Sequence, residues 1–229
     1  MGRTFLASPT GRLFSAIRRV TGNELLPYAI CCCAAILFLA LAARDAWRQR
    51  RIEKEAALGL TIHGLNSFTL LAGRTSFLGS VKAPYTLVEF GDYECPYCKI
   101  IQGQVSAALN KHKDKVKLDF RQFPLRAIHP YAEEAALAAE AGRPAGKFWT
   151  IHEYLLANDI SKKHAVDRAM ALAGVAPNRV IARHQILLDA AVARQFSVNA
   201  TPSFFLCRPD GGVVRLPSLQ AIDLNVKYH

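Results

Sequence analysis

The sequence predicts an α/β domain with a helical insertion, preceded by one N-terminal transmembrane helix. Three observations lead there. Leu25–Ala43 (LLPYAICCCAAILFLALAA) is a run of 19 residues without a charge, enough for a helix to cross the ~30 Å hydrocarbon core of a bilayer. Two runs rich in β-formers, APYTLVEF at 83–90 and VKLDFRQFP at 116–124, flank a stretch with apolar residues at helical spacing. A third β-rich segment follows only after four helix-like stretches.

In chain order, residues 1–24 form a basic tail carrying Arg3, Arg12, Arg18 and Arg19, and 25–43 are the expected span. A cleaved secretory signal is the competing reading, with Ala40-Leu41-Ala42 as a small-residue cleavage site. The length of the run favours a retained anchor. Arg44, Arg48, Arg50, Arg51 and Lys54 follow it, so four basic residues stand before the span and five after. That balance sets no orientation by the positive-inside rule. Residues 44–76 read as a juxtamembrane stalk and linker, helix-prone to about Ala57 and then irregular, with strand character at Phe68–Leu71.

The domain proper is expected over 77–229. A strand at Thr86–Phe90 is broken by GDYECP, and Pro96 suits the first turn of a helix over 97–112. A strand at 116–124 comes next. Helices at 130–142, 146–159, 163–173 and 177–194 make up an insertion at about 130–195. The chain then returns to β at Ser203–Cys207, turns at Pro209–Gly212, where Asp210-Gly211 favours a hairpin, and pairs through Val213–Leu216. A short helix runs from about 218.

The net charge of +11 divides as nine Lys/Arg against four Asp/Glu in residues 1–60 and twenty against fourteen in 61–229. No nucleic-acid-binding module accompanies it, and KHKDKVK at 111–117 reads as a solvated helix end, so nucleic acid is not an expected partner. Basic residues beside the span suit lipid headgroups, which makes the membrane a partner. Of six cysteines, Cys31, Cys32 and Cys33 fall in the apolar run and read as small hydrophobes, and Cys207 reads as a buried strand residue. No four Cys/His ligands stand at zinc spacing, so no metal is expected.

Cys95 and Cys98 remain. Where a strand hands over to a helix, i and i+3 share a face. Cys95 then lies at the helix N-terminus, where unpaired N–H groups and the helix dipole favour a thiolate. A permanent disulfide between them would close only a tiny loop and stabilise little. The spacing points to a redox dithiol, with Cys95 as nucleophile and Cys98 as resolving thiol.

The segments FLGSVKAPYTLVEFGDYECPYC (77–98), FRQFPLRAIHPYAEEAALAAEAG (120–142), GKFWTIHEYLL (146–156) and VNATPSFF (198–205) together resemble the DsbA-like thiol:disulfide oxidoreductases of the thioredoxin superfamily. The resemblance implies a thioredoxin-like fold. It implies that Glu89, on the strand entering the site, relays protons to Cys98, which a desolvated carboxyl suits. It also implies that Thr201 and Pro202 form a cis-proline loop that pairs with an extended substrate. The Cys-Pro-Tyr-Cys site is shared with glutaredoxins, but the long interval to Pro202 favours the DsbA-like reading.

The expected function is a membrane-tethered, periplasmic oxidoreductase that forms disulfides in proteins with cysteine pairs. It needs no organic cofactor and is reset by a redox partner. The alternatives are a reductase or isomerase, a glutaredoxin-like reductase on the cytoplasmic side, and a non-enzymatic membrane-anchored module binding a metal or a client. His129 is expected to cap or pack a helix. Phe148, Trp149 and Tyr154 are expected to pack helices, Glu133 and Glu134 to form a solvated face, and Asp92 and Glu94 to lie at the surface.

Overall fold

The computed structural model describes residues 26–58, 60–61, 66–74, 76–162, 164–174 and 179–226. The predicted basic tail, 1–24, lies outside them. The chain forms two compact units, Met1–Lys54 and Glu55–His229.

Helix α1, Leu26–Leu58, carries the predicted span. Leu25 and the side chains of 26–31 lie outside the described residues. Among the described residues, no helix is long and apolar enough to cross a membrane. The described part of the apolar run, Cys32–Ala43, is exposed throughout, including Ile36, Leu37, Phe38 and Leu39.

The second unit is built on a five-stranded mixed sheet ordered β1-β5-β4-β2-β3. The strands are β1 (Leu60–Thr61), β2 (Tyr85–Gly91), β3 (Val116–Gln122), β4 (Ser203–Cys207) and β5 (Val213–Leu216). β2 lies between β3, parallel to it, and β4, antiparallel to it. The parallel pair is joined by helix α3, Pro96–Lys111, as a crossover connection requires. Among the described residues four helices separate β3 from β4: α4 (Ala132–Gly142), α5 (Phe148–Ala157), α6 (Ala165–Ala173) and α7 (Arg179–Gln195). Helix α8, Ala221–Asn225, follows the β4–β5 hairpin. The segment expected to have strand character, Phe68–Leu71, is instead mostly a single helical turn, α2 (Ser67–Leu70). Asn66 caps it by accepting the Thr69 N–H at 3.0 Å, and this local cap outweighs the β-propensity of its neighbours.

Every residue of β2 is buried. Its alternation places Tyr85 and Leu87 with Val105, Leu118 and Leu206 on the α3 side, and Val88 and Phe90 with Phe205, Cys207, Ala193 and Phe196 on the other. Glu89 shares the α3 side with Leu87. Gly91 is the last residue of β2, and a Cβ there would collide with the Phe120 ring. The insertion closes over the end of the sheet, so that Phe148, Ile151 and Leu155 of α5 and Ala135, Ala138 and Ala139 of α4 pack in one cluster with Tyr93, Cys95 and Cys98.

Asp119 and Arg121 of β3 point to the α7 side, into a buried ion cluster with Arg74 and Asp189. Asp189 accepts from Arg74 Nη2 at 2.6 Å, Arg121 Nη1 at 2.9 Å and the Gln122 N–H at 2.8 Å. Burial raises the pKa of Asp119 and Asp189 against the pull of the two guanidinium groups. Charge pairs out of water hold together only when both signs are present. Asp189→Ala leaves two buried guanidinium groups short of a counter-ion and is expected to destabilise the domain by about 3–5 kcal/mol. Denaturant unfolding of the two proteins measures the difference, and a loss below about 1 kcal/mol contradicts this account.

Candidate active site

Cys95 is the N-cap residue of α3, with φ −64° and ψ 121°, and Pro96 occupies the first helical turn. Proline fits there because its missing N–H would have no helical partner. The turn that delivers Cys95 is tied by its own N–H donating to the Asp92 carbonyl at 3.2 Å. Cys98 lies one turn on and is fully buried, while Cys95 is 4% exposed. Both thiols are free.

The structure brings Cys95 together with the two predicted loop residues. The Cys95 thiol donates to the Thr201 carbonyl at 3.5 Å, and the Thr201–Pro202 peptide is cis. Glu89 lies beneath the dithiol, under α3. Gln102, one turn after Cys98, joins them: its Nε2 donates to Glu89 Oε1 at 3.4 Å and to the Cys98 carbonyl at 3.2 Å. Glu89 Oε2 has no hydrogen-bond partner among the described residues. Burial pushes the Glu89 carboxyl up to about 8, with the Gln102 amide opposing. Burial also pushes the Cys98 thiol far above the ordinary range; a hydrogen bond from the Asp92 main chain opposes this, and the charges of Glu89 and Cys95 add to it. Buried groups resist charging unless partnered, so Cys98 and Glu89 both favour their neutral forms in this dry site.

Cys207 is buried on the opposite face of the sheet, and burial pushes its thiol up to about 12. It is not part of the dithiol centre. Among the described residues no group of three or more His, Cys, Asp or Glu side chains could hold a metal ion.

Two expectations are corrected. Asp92 is not a surface residue; its side chain is fully buried, and its carboxylate accepts the Glu94 and Leu125 N–H groups, each at 2.8 Å, and faces His129. Glu94 is half-buried and accepts the Tyr131 N–H at 2.7 Å. His129 turns its ring toward the Asp92 carboxylate, Nδ1 lying 2.8 Å from Asp92 Oδ2, while its carbonyl accepts the N–H of Ala132 at the start of α4 at 3.3 Å. Sequence reasoning also missed His152, which lies 3.1 Å from the Tyr93 hydroxyl through Nδ1 and is lowered to about 3 by burial among aromatic rings.

A family model described as Thioredoxin matches residues 72–208. The chain belongs to the thioredoxin family. Within it, the chain is similar to Pseudomonas aeruginosa DsbA2, at 25% identity and a TM-score of 0.55, covering 67% of this chain and 97% of that one. It is also similar to a thioredoxin-like oxidoreductase from Silicibacter pomeroyi, at 25% identity and a TM-score of 0.59, covering 72% and 99%. This thioredoxin-family domain is DsbA-like. Curated relatives include the Na(+)/H(+) antiporter NhaA 1 of Salinispora arenicola, 33% identical over 148 residues, covering 56% of this chain and 21% of that protein. The chain thus spans about a fifth of the length of the curated relatives it matches.

In this thioredoxin-family site the pKa of Glu89 stands at about 8 in the fold against 4.5 for the free group. Between those values the folded state holds a proton that the unfolded state has lost. Stability therefore falls as pH rises from about 4.5 to about 8 and levels off above. The Glu89 contribution to that slope is at most about 1.4 kcal/mol per pH unit. Glu89→Gln removes it, so the stability difference between variant and wild type should widen across this window. A difference constant with pH, measured by denaturant unfolding, contradicts the buried carboxyl.

Proposed function

We propose that the chain is a membrane-tethered protein thiol:disulfide oxidoreductase that forms disulfides in an extracytoplasmic compartment, the periplasm. The observation that carries the proposal is the seating of Cys95 at a helix N-terminus, its sulfur on the Thr201 carbonyl beside cis-Pro202, above a buried Cys98 and Glu89. A thiolate at Cys95 gains from the exposed helix N–H groups. Cys98 lies one turn deeper, fully buried, where desolvation outweighs what favours its thiolate, so the two sulfurs are unequal.

In the forward direction a substrate thiolate attacks Cys95 of the Cys95–Cys98 disulfide. The S–S bond breaks and Cys98 leaves with the electron pair, taking a proton from Glu89. Glu89 suits this step because a carboxyl titrating at about 8 is largely protonated near neutrality. A second substrate thiolate then attacks the substrate sulfur of the mixed disulfide and expels Cys95. The substrate leaves with a disulfide and the protein holds a dithiol, which a redox partner must reoxidise. Thr201 and Pro202 hold the substrate chain as an added strand, so affinity comes from main-chain pairing rather than from side-chain identity.

The membrane tether rests on the apolar run of 25–43, whose described side chains are exposed on α1. An uncovered row of large apolar side chains needs lipid or protein around it. The outward-facing location rests on the chemistry, since disulfides persist in oxidising compartments.

Reoxidation of a reduced, unfolded protein tests the reading. Cys95→Ser should fall to the uncatalysed rate. Cys98→Ser should accumulate a mixed disulfide with its substrate through Cys95, visible as a reducible adduct on a non-reducing gel. Wild-type turnover retained in Cys95→Ser would sink the assignment. Deleting residues 25–43 should move the protein from the membrane to the soluble fraction; membrane retention of the deleted chain would remove the anchor.

A further inference from the structure

Helix α7 carries two apolar faces, and the fold uses one of them. Its sequence, RVIARHQILLDAAVARQ, turns Ala182, Ile186, Asp189 and Ala193 inward at steps of four, three and four residues. Ala182 and Ile186 pack on α4, and Ala193 packs on the sheet beside Val88 and Phe205. The opposite side repeats the pattern outward. Val180 is 82% exposed, Leu187 57% and Leu188 40%, and Ala191 is half-buried on the same line. Positions 180, 184, 187, 188 and 191 share one helical face. The apolar side chains there form a row about 16 Å long, with the exposed His184 within it.

Charge is arranged along one edge of that row. Arg183 stands between Val180 and Leu187, and Arg194 stands just past Ala191. Both are exposed, and neither forms an ion pair among the described residues. Arg179 is exposed as well and pairs with Glu134 of α4. The one acid of the helix, Asp189, is buried against Arg74 and Arg121. The outer face of α7 is therefore apolar and positive.

We propose that this face docks on an anionic lipid surface, its apolar row entering the interface and its arginines meeting phosphate groups. The inference rests on the membrane-tether reading above for the nearness of a bilayer. Basic amphipathic helices lie in the plane of a bilayer, apolar side down and cations at headgroup level. A bilayer presents negative charge above apolar depth, which is the order in which the arginines and the row stand on α7. Arginine suits that edge because its stem lies along apolar surface while its head pairs with phosphate as a fork. A soluble protein would need an apolar groove with acids along one rim only. Docking of this kind does not cover the dithiol. α7 packs on one face of the sheet and α3, which starts at Cys95, on the other, so the sheet stands between the lipid and the reactive sulfur.

The experiment uses the full chain with its six cysteines replaced by alanine. One new cysteine, Leu187→Cys or Lys113→Cys, carries an environment-sensitive fluorophore. Lys113, exposed just past the end of α3, is the reference position. Each protein is reconstituted into vesicles of phosphatidylcholine, with or without phosphatidylglycerol, whose acyl chains carry bromine as a quencher. In the anionic vesicles the label at 187 should shift to the blue and be quenched, and the label at 113 should do neither. Without phosphatidylglycerol, or at high salt, the quenched fraction at 187 should fall. Arg183→Gln and Arg194→Gln should each lower the ratio of docked to free domain about fivefold, the effect of one charge beside anionic lipid. Quenching at 187 no greater than at 113 overturns the docking face, and equal quenching in the two vesicle types overturns the anionic surface. A blue shift in detergent that grows with protein concentration puts a second copy on the row and overturns lipid as its occupant. Carbonate extraction reads the anchor separately: a chain stripped from the vesicles refutes the tether, a result distinct from any change in the label.

Discussion

The structure turns on one constraint: a strand buried on both faces must end at a helix that starts with a reactive sulfur. β2 can be buried at all seven positions only because β3 and β4 take its hydrogen bonds while α3 and the α7 side cover its faces. A carboxyl placed on such a strand has no water to ionise into, which is why Glu89 is held near neutrality in its titration. The same closure leaves Cys98 dry and Cys95 at the helix N-terminus, where the unpaired N–H groups lie. The asymmetry between the two thiols follows first from their position on the helix.

The helical insertion serves that constraint twice. Its α4 and α5 supply the apolar cover over Tyr93, Cys95 and Cys98. Its α7 supplies Asp189, which with Asp119 neutralises Arg74 and Arg121 on the far side of the sheet. Burial of so many charges stabilises little in itself, because desolvation offsets most of the attraction. What it adds is register: Arg121 can meet Asp189 only if β3 and α7 pack in one arrangement, and the strand carrying Phe120 beside the site is fixed with them.

Much of the fold was legible in the sequence. The strands Ser203–Cys207 and Val213–Leu216 and the helix after Pro96 have the boundaries or nearly the boundaries that local pattern predicts. Each carries its own signal: an Asp-Gly turn, β-branched and aromatic runs, a proline at a helix start. Phe68–Leu71 misled because apolar content says nothing of the Asn66 cap that curls the segment into a helical turn. Within the site, the two cysteines could be singled out by spacing. Glu89, Thr201 and Pro202 needed the family resemblance, since an acid in a β-rich run reads equally as an outward-facing residue.

Asp92 marks the limit of local reading. An aspartate between a glycine and a tyrosine, ahead of a helix, has every feature of a surface turn residue. It is buried because Leu125 and His129 bring donors from a loop with no short-range tie to it. His129 was equally opaque, since a histidine before a proline suggests a helix boundary and nothing about a carboxylate 37 residues earlier. Each residue taken by itself reads as ordinary, and only the fold turns them into a pair. Polar residues whose burial depends on a distant partner are thus the ones a single sequence hides.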